Sequence, residues 1–208
     1  RATDRPQCSR LMLPNRSSLL TDLAQLLRWT LLALLVALVA GSATALFLWS
    51  LDQVTKLQWA HPQSLWFLPL GGVAVGLCYH YLGKGSDKGN NLLIDEIHEP
   101  GGGVPTRMAP LVLIGTLVTH LFGGSAGREG TAVQMGGSLA DMLVRLLRVG
   151  RENRRLMLMC GIAAGFGAVF GTPLTGAIFA MEVLVIGRIQ YEALIPVLVA
   201  SVLGDATC

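Results

Sequence analysis

Trp29 to Leu51 is 23 residues without a single charge. As an α-helix that run reaches about 34 Å at ~1.5 Å per residue, enough to cross a hydrocarbon core of ~30 Å. Trp29 and Trp49 stand near its two ends, where interfacial aromatic side chains belong. No other feature restricts the fold as strongly, because backbone polar groups in lipid must be satisfied internally. Charged residues are 14% of the chain, against roughly 25% in soluble domains. Glycine is abundant, at 25 of 208 residues, as suits close helix contacts in lipid.

The rest of the chain is apolar in unequal pieces. Leu65–Leu82 predicts a second span, and Ala109–Gly127 a third apolar stretch. Gly130–Ala140 is only eleven residues before Asp141, about 16 Å of helix. Leu156–Met181 is apolar but interrupted by Gly171-Thr172-Pro173, which predicts two shorter helices. Ala193–Gly204 is another short run. Several of these pieces cannot span a bilayer alone. Broken helices of this kind, flanked by glycine, are found where helix ends meet a site at membrane depth.

Charge sets the topology. Residues 1–28 carry five arginines against Asp4 and Asp22, and 141–155 carry five against Asp141 and Glu152. Both stretches are expected on the cytoplasmic side, the second as a loop. The net charge of +3 comes from clusters that read as topology signals, not as a nucleic-acid surface. The first apolar run starts too late and is too long for a signal peptide. Cys8, Cys78, Cys160 and Cys208 are widely spaced. They predict small packing residues, with no disulfide framework or metal site.

Three constellations carry chemistry. In Gly127-Arg128-Glu129-Gly130-Thr131-Ala132-Val133-Gln134 a carboxylate stands where an apolar helix begins. Gly130 and Thr131 are expected to open that helix, whose free N–H groups attract anions. A carboxylate there competes with a dissolved anion for the same donors, and protonation releases it. A surface ion pair of Arg128 with Glu129 is the plainer alternative. In Gly85-Ser86-Asp87-Lys88-Gly89-Asn90-Asn91 a glycine and two asparagines precede an apolar stretch, either as an ordinary cap or as amide donors. Third, Gly171-Thr172-Pro173-Leu174-Thr175-Gly176 leads to Glu182 at the end of an apolar segment. Gly123-Gly124-Ser125-Ala126-Gly127 also fits the G-x-S-x-G pattern, with His120 close by. A hydrolase elbow needs a strand before the serine, and here a helix is expected.

In order and spacing these motifs resemble the CLC chloride channel and transporter family, whose motifs are GSGIP, GREGP and a NAPLAG-type run. The match is Gly127-Arg128-Glu129-Gly130-Thr131 with Val133-Gln134-Met135-Gly136-Gly137, supported by Cys160-Gly161-Ile162-Ala163-Ala164-Gly165. The resemblance covers about residues 30–205. It implies an all-α integral membrane protein with a broken-helix bundle, the first of two inverted repeats. Residues 1–28 are then a cytoplasmic segment, and 29–208 the first half of a transmembrane domain from a truncated open reading frame, unable to transport alone.

By the same resemblance Glu129 is the proton-transferring gate. Gly89, Asn90, Asn91, Arg128, Gly130 and Thr131 surround the anion. Asn90 stands for the chloride-coordinating serine, with Ser86 as an alternative register. Thr131 in place of proline resembles the fluoride-exporting branch. So does Glu182-Val183, where chloride/proton antiporters have two glutamates. The expected function is fluoride export coupled to proton exchange, with chloride channel or chloride/proton antiport as alternatives. A homodimer in a bacterial inner membrane, without cofactor, completes the expectation.

Overall fold

The structure is a computed structural model that describes residues 16–99, 101–182 and 193–208. Among these residues the only regular elements are helices: α1 (Arg16–Ala60), a 3₁₀ turn (Pro62–Phe67), α2 (Leu68–Leu82), α3 (Asn90–His98), α4 (Met108–Leu121), α5 (Arg128–Leu146), α6 (Arg151–Phe170), α7 (Pro173–Glu182) and α8 (Leu194–Thr207).

The fold is an all-helical bundle around α6. Residues 156–165 of that helix are buried without interruption, and it packs against α1, α5, α7 and α8. Small residues permit this. A Cβ on Gly136 would collide with the Gly161 carbonyl, and one on Gly161 with that of Gly136. Further along the same crossing, a Cβ on Gly165 would lie 2.6 Å from the Ala132 carbonyl oxygen. Backbones that approach this closely leave room for no side chain.

Around α1 the burial is one-sided. Ala33, Val36, Ala37, Ala40, Thr44, Phe47 and Leu51 form a buried stripe at helical spacing. Leu31, Leu35, Leu38, Leu46 and Trp49, equally apolar, are exposed. A helix apolar all round but buried on one stripe requires an apolar medium on its other faces. By length and composition Ala24–Ala60 and Pro62–Leu82 can each cross a membrane. The expected break is present: Gly171 caps α6 in the left-handed conformation (φ 63°), and Pro173 opens α7.

Four sequence expectations need correction. First, the span expected over 29–51 is part of a longer helix, α1, which runs from Arg16 to Ala60. No proline interrupts 16–60, and Gly41 is accommodated within the helix, so hydrogen bonding carries it past the apolar run. Second, α5 is 19 residues long, and it starts at Arg128, so Glu129 lies inside its first turn. Third, 141–155 is no loop. It is the last part of α5, a turn at 147–150, and the start of α6, and Asp141 is fully buried. Its carboxylate is matched by basic partners, which makes a charge tolerable on a buried stripe. Fourth, of the four cysteines Cys160 is buried, whereas Cys78 and Cys208 are exposed; Cys8 lies outside the described residues.

Candidate anion-binding site

The site is made by the starts of α3 and α5. Gly89 precedes α3 at φ 58° and ψ −132°, a region open essentially to glycine alone. That conformation turns the chain from the 83–89 loop into the helix. The Asn91 N–H donates to the Lys88 carbonyl and the Leu92 N–H to that of Gly89, both at 3.2 Å. The Asn90 N–H has no main-chain acceptor among the described residues. Leu93 then anchors the helix: it fills the notch at Gly137, where a Cβ would approach its Cδ2 to 2.5 Å.

Gly127 is extended before α5, and the N–H groups of Arg128, Glu129 and Gly130 have no main-chain acceptor among the described residues. The two helix starts adjoin. A Cβ on Gly130 would stand 3.6 Å from Asn90 Nδ2 and 3.9 Å from Gln134 Nε2. One on Gly89 would stand 3.5 Å from the same Gln134 nitrogen. Both side-chain amides therefore gather over the first turn of α5, where unsatisfied N–H groups and the positive helix end favour an anion.

Asn90 and Gly130 are thus neighbours, with Glu129 beside Gly130 in sequence. Asn90, Asn91, Arg128 and Glu129 have exposed side chains. Arg128 and Glu129 form no ion pair with each other. Thr131 contributes to the start of α5 through its main chain, and its hydroxyl is turned elsewhere. Its side chain is buried; the hydroxyl donates to the Gly127 carbonyl at 3.0 Å and contacts the Thr116 hydroxyl at 2.8 Å. The hydroxyl thus ties α5 to α4, and what Thr131 has left to offer an anion is its main chain. Ser86, the other register for the anion-coordinating residue, is buried with no hydrogen-bond partner for its hydroxyl among the described residues.

Ser125 sits in the loop between α4 and α5, so a helix, not a strand, precedes it. The His120 Nδ1 is held 2.9 Å from the Thr116 carbonyl oxygen. Glu182 is exposed at the end of α7, and Val183 lies outside the described residues.

Sequence reasoning missed a second polar cluster. Asp141 of α5 accepts bonds from the Val104 N–H (2.9 Å), Arg145 (2.5 Å) and Arg154 Nε (2.6 Å). Glu96 of α3, also buried, accepts from the Gly101 and Gly103 N–H groups (both 3.0 Å) and pairs with Arg154 Nη1 at 2.8 Å. One signal was available: Asp141 falls on the helical stripe of Gly137, Ala140 and Val144, with Arg145 four residues on.

The family model described as "Voltage gated chloride channel" matches residues 71–208, most of the chain and both helix starts. The chain belongs to the voltage-gated chloride channel family. It is accordingly a membrane protein. A chloride/fluoride channel protein of Pseudomonas syringae pv. tomato is 58% identical over 199 residues, covering 96% of this chain and 43% of that protein. An H(+)/Cl(−) exchange transporter ClcA of Yersinia pestis is 43% identical over 77 residues, 36% of this chain and 16% of the transporter. Among solved structures, a CLC-type fluoride/proton antiporter superposes with a TM-score of 0.82 at 34% identity, covering 94% of this chain and 48% of that one. A slow cyanobacterial Cl−/H+ antiporter shares the fold at a TM-score of 0.65 and 24% identity, covering 86% of this chain and 46% of that one. The chain spans less than half the length of these relatives.

The geometry at Gly89 gives a direct test. Gly89→Ala places a side chain at a positive φ with ψ near −132°. It is expected to cost about 1–3 kcal/mol, or to shift the start of α3, measured by thermal unfolding in detergent. Gly127→Ala, at an ordinary extended φ with open space around it, is the matched control.

Proposed function

We propose that this chain forms the first half of an anion transporter that exports fluoride in exchange for protons. The observation that carries this reading is the meeting of two helix starts. Asn90 and Gln134 amides and unpaired N–H groups surround one point, and Glu129 lies in the same first turn. The names of two relatives, a chloride/fluoride channel protein and a fluoride/proton antiporter, support the choice of ion. Fluoride is small and strongly hydrated, so removing its water requires close, strong donors. Asn90, with the main-chain N–H groups of Arg128, Glu129 and Gly130, is such a supply. Gly89 and Asn91 shape the α3 side, and Thr131 braces the α5 side.

The apolar helices span a bacterial inner membrane several times, with the arginine-rich N-terminus in the cytoplasm. The complete protein works as a homodimer, and the chain alone does not transport. Chloride/proton exchange is the second reading, favoured by the ClcA relative.

Efflux from vesicles decides between the two. A full-length protein carrying this sequence as its first half is reconstituted, and the vesicles are loaded with either halide. Fluoride efflux is expected to exceed chloride efflux by roughly tenfold or more, a difference of ~1.4 kcal/mol. Comparable rates would overturn the assignment to fluoride.

A further inference from the structure

We infer that Arg154 is a positioning residue for the anion site: its guanidinium clasps α3 to α5 and so holds Asn90 against the start of α5. The inference rests on the transport reading above. Its ground is the shape of α3 and what holds it. That helix has nine residues, and an isolated helix shorter than ~12–15 residues is marginal. Its direction therefore comes from contacts, not from its own stability. Near its start Leu93 sits in the Gly137 notch. Near its end the exposed Lys88–Asp95 pair, at 3.8 Å, contributes little. The strong constraint there is Glu96.

Glu96 and Asp141 are buried carboxylates on two different helices, α3 and α5. A single arginine on a third helix bridges them, with Nη1 on Glu96 at 2.8 Å and Nε on Asp141 at 2.6 Å. The Arg154 side chain is 14% exposed, so the contact is poorly screened by solvent. The same two carboxylates bind the N–H groups of Gly101, Gly103 and Val104, and Arg145 donates to the Val104 carbonyl. The clasp thus joins the far end of α3, the later part of α5, and residues 101–104. Six residues separate Glu96 from Asn90, about 9 Å along the helix. With Leu93 as a fulcrum between them, movement at Glu96 becomes movement of the Asn90 amide over Gly130.

Lysine is not equivalent to this arginine. Its ammonium is one donor centre on a flexible stem, whereas the planar guanidinium presents Nε and Nη1 at a fixed separation and direction to the two carboxylates. Arg154→Lys should therefore keep the charge balance and the fold while loosening α3. Arg154→Met removes the bridge, and Glu96→Gln weakens it from the other side while keeping its shape.

The experiment measures fluoride transport against concentration in the full-length protein, with folded protein quantified by size-exclusion chromatography. Arg154→Lys and Glu96→Gln are expected to raise the fluoride KM by about tenfold and to lower the fluoride-to-chloride ratio, because small displacements of positioned groups have effects of this size or larger. The maximal rate per folded protein should change little. A purely structural arginine would lower the amount of folded protein and leave KM and selectivity as they were; that result overturns the inference. Loss of folded protein in all three variants also overturns it, since the clasp would then be a folding element alone. Failure of the transport reading looks different: the unsubstituted protein would move neither halide.

Discussion

Glu129→Gln is expected to abolish proton movement in a full-length protein carrying this chain, whatever it does to the anion. Glu129 occupies the first turn of α5, where the N–H groups of residues 128–130 are unpaired and anions are stabilised. In the proposed mechanism an ionised carboxylate and a halide compete for that place, so anion occupancy and proton uptake are reciprocally linked. Glutamine has nearly the same shape but carries no exchangeable charge, so it imitates the protonated form permanently. The side chain is exposed and takes part in no ion pair among the described residues, so the substitution leaves the packing untouched. The measurement imposes an anion gradient across vesicles and follows the internal pH. Uphill proton pumping that persists in Glu129→Gln would assign the proton to another residue and end the proposed role.

The second large effect belongs to the fold. Gly161→Leu is expected to leave no folded protein. At the α5–α6 crossing a Cβ at residue 161 collides with the Gly136 carbonyl and would lie 2.5 Å from Ala140 Cβ. Neither is the free end of a flexible side chain, so the two helices would have to separate along a surface where Gly136, Ala140 and residues 156–165 are all buried. Overpacking a core costs typically ~1–3 kcal/mol where side chains can adjust, and here backbone must move. Gly76→Leu is the control: nothing lies within 4 Å of a Cβ there, and α2 presents that side outward. Detergent extraction followed by size-exclusion chromatography separates the outcomes. A monodisperse Gly161→Leu protein would show that the crossing is looser than its glycines suggest.

Much of the architecture was legible in the residues. The uncharged run at 29–51, the break at Gly171-Thr172-Pro173 and the short apolar pieces pointed to a broken-helix membrane bundle. Each of these signals is local: a length, a breaker residue, a change of polarity. The helix starts near Asn90 and Gly130 were legible for the same reason, since a helix start is written in a few consecutive residues. The extent of α5 was not. Asp141 looked like the edge of an apolar segment, because a charge inside a buried stripe is costly unless it has partners. Beyond Arg145 one turn on, its partners are Arg154 on α6 and the Val104 N–H, 13 and 37 residues away. Nothing near Asp141 in the sequence announces the second of them.

Thr131 shows the same division at one residue. Its place after Glu129 marked it as part of the anion site. Only packing revealed that its hydroxyl faces α4, where Thr116 meets it. The sequence by itself therefore determined the solvent of this protein, its helical class and the neighbourhoods where α3, α5 and α7 start, because hydrophobicity, glycine and proline act over a few neighbouring residues. The tertiary structure alone decided which helix starts face each other, where the Thr131 hydroxyl turns, and how Arg154 joins Glu96 to Asp141. Those outcomes depend on contacts between distant residues, whose energies exist only once the helices have packed.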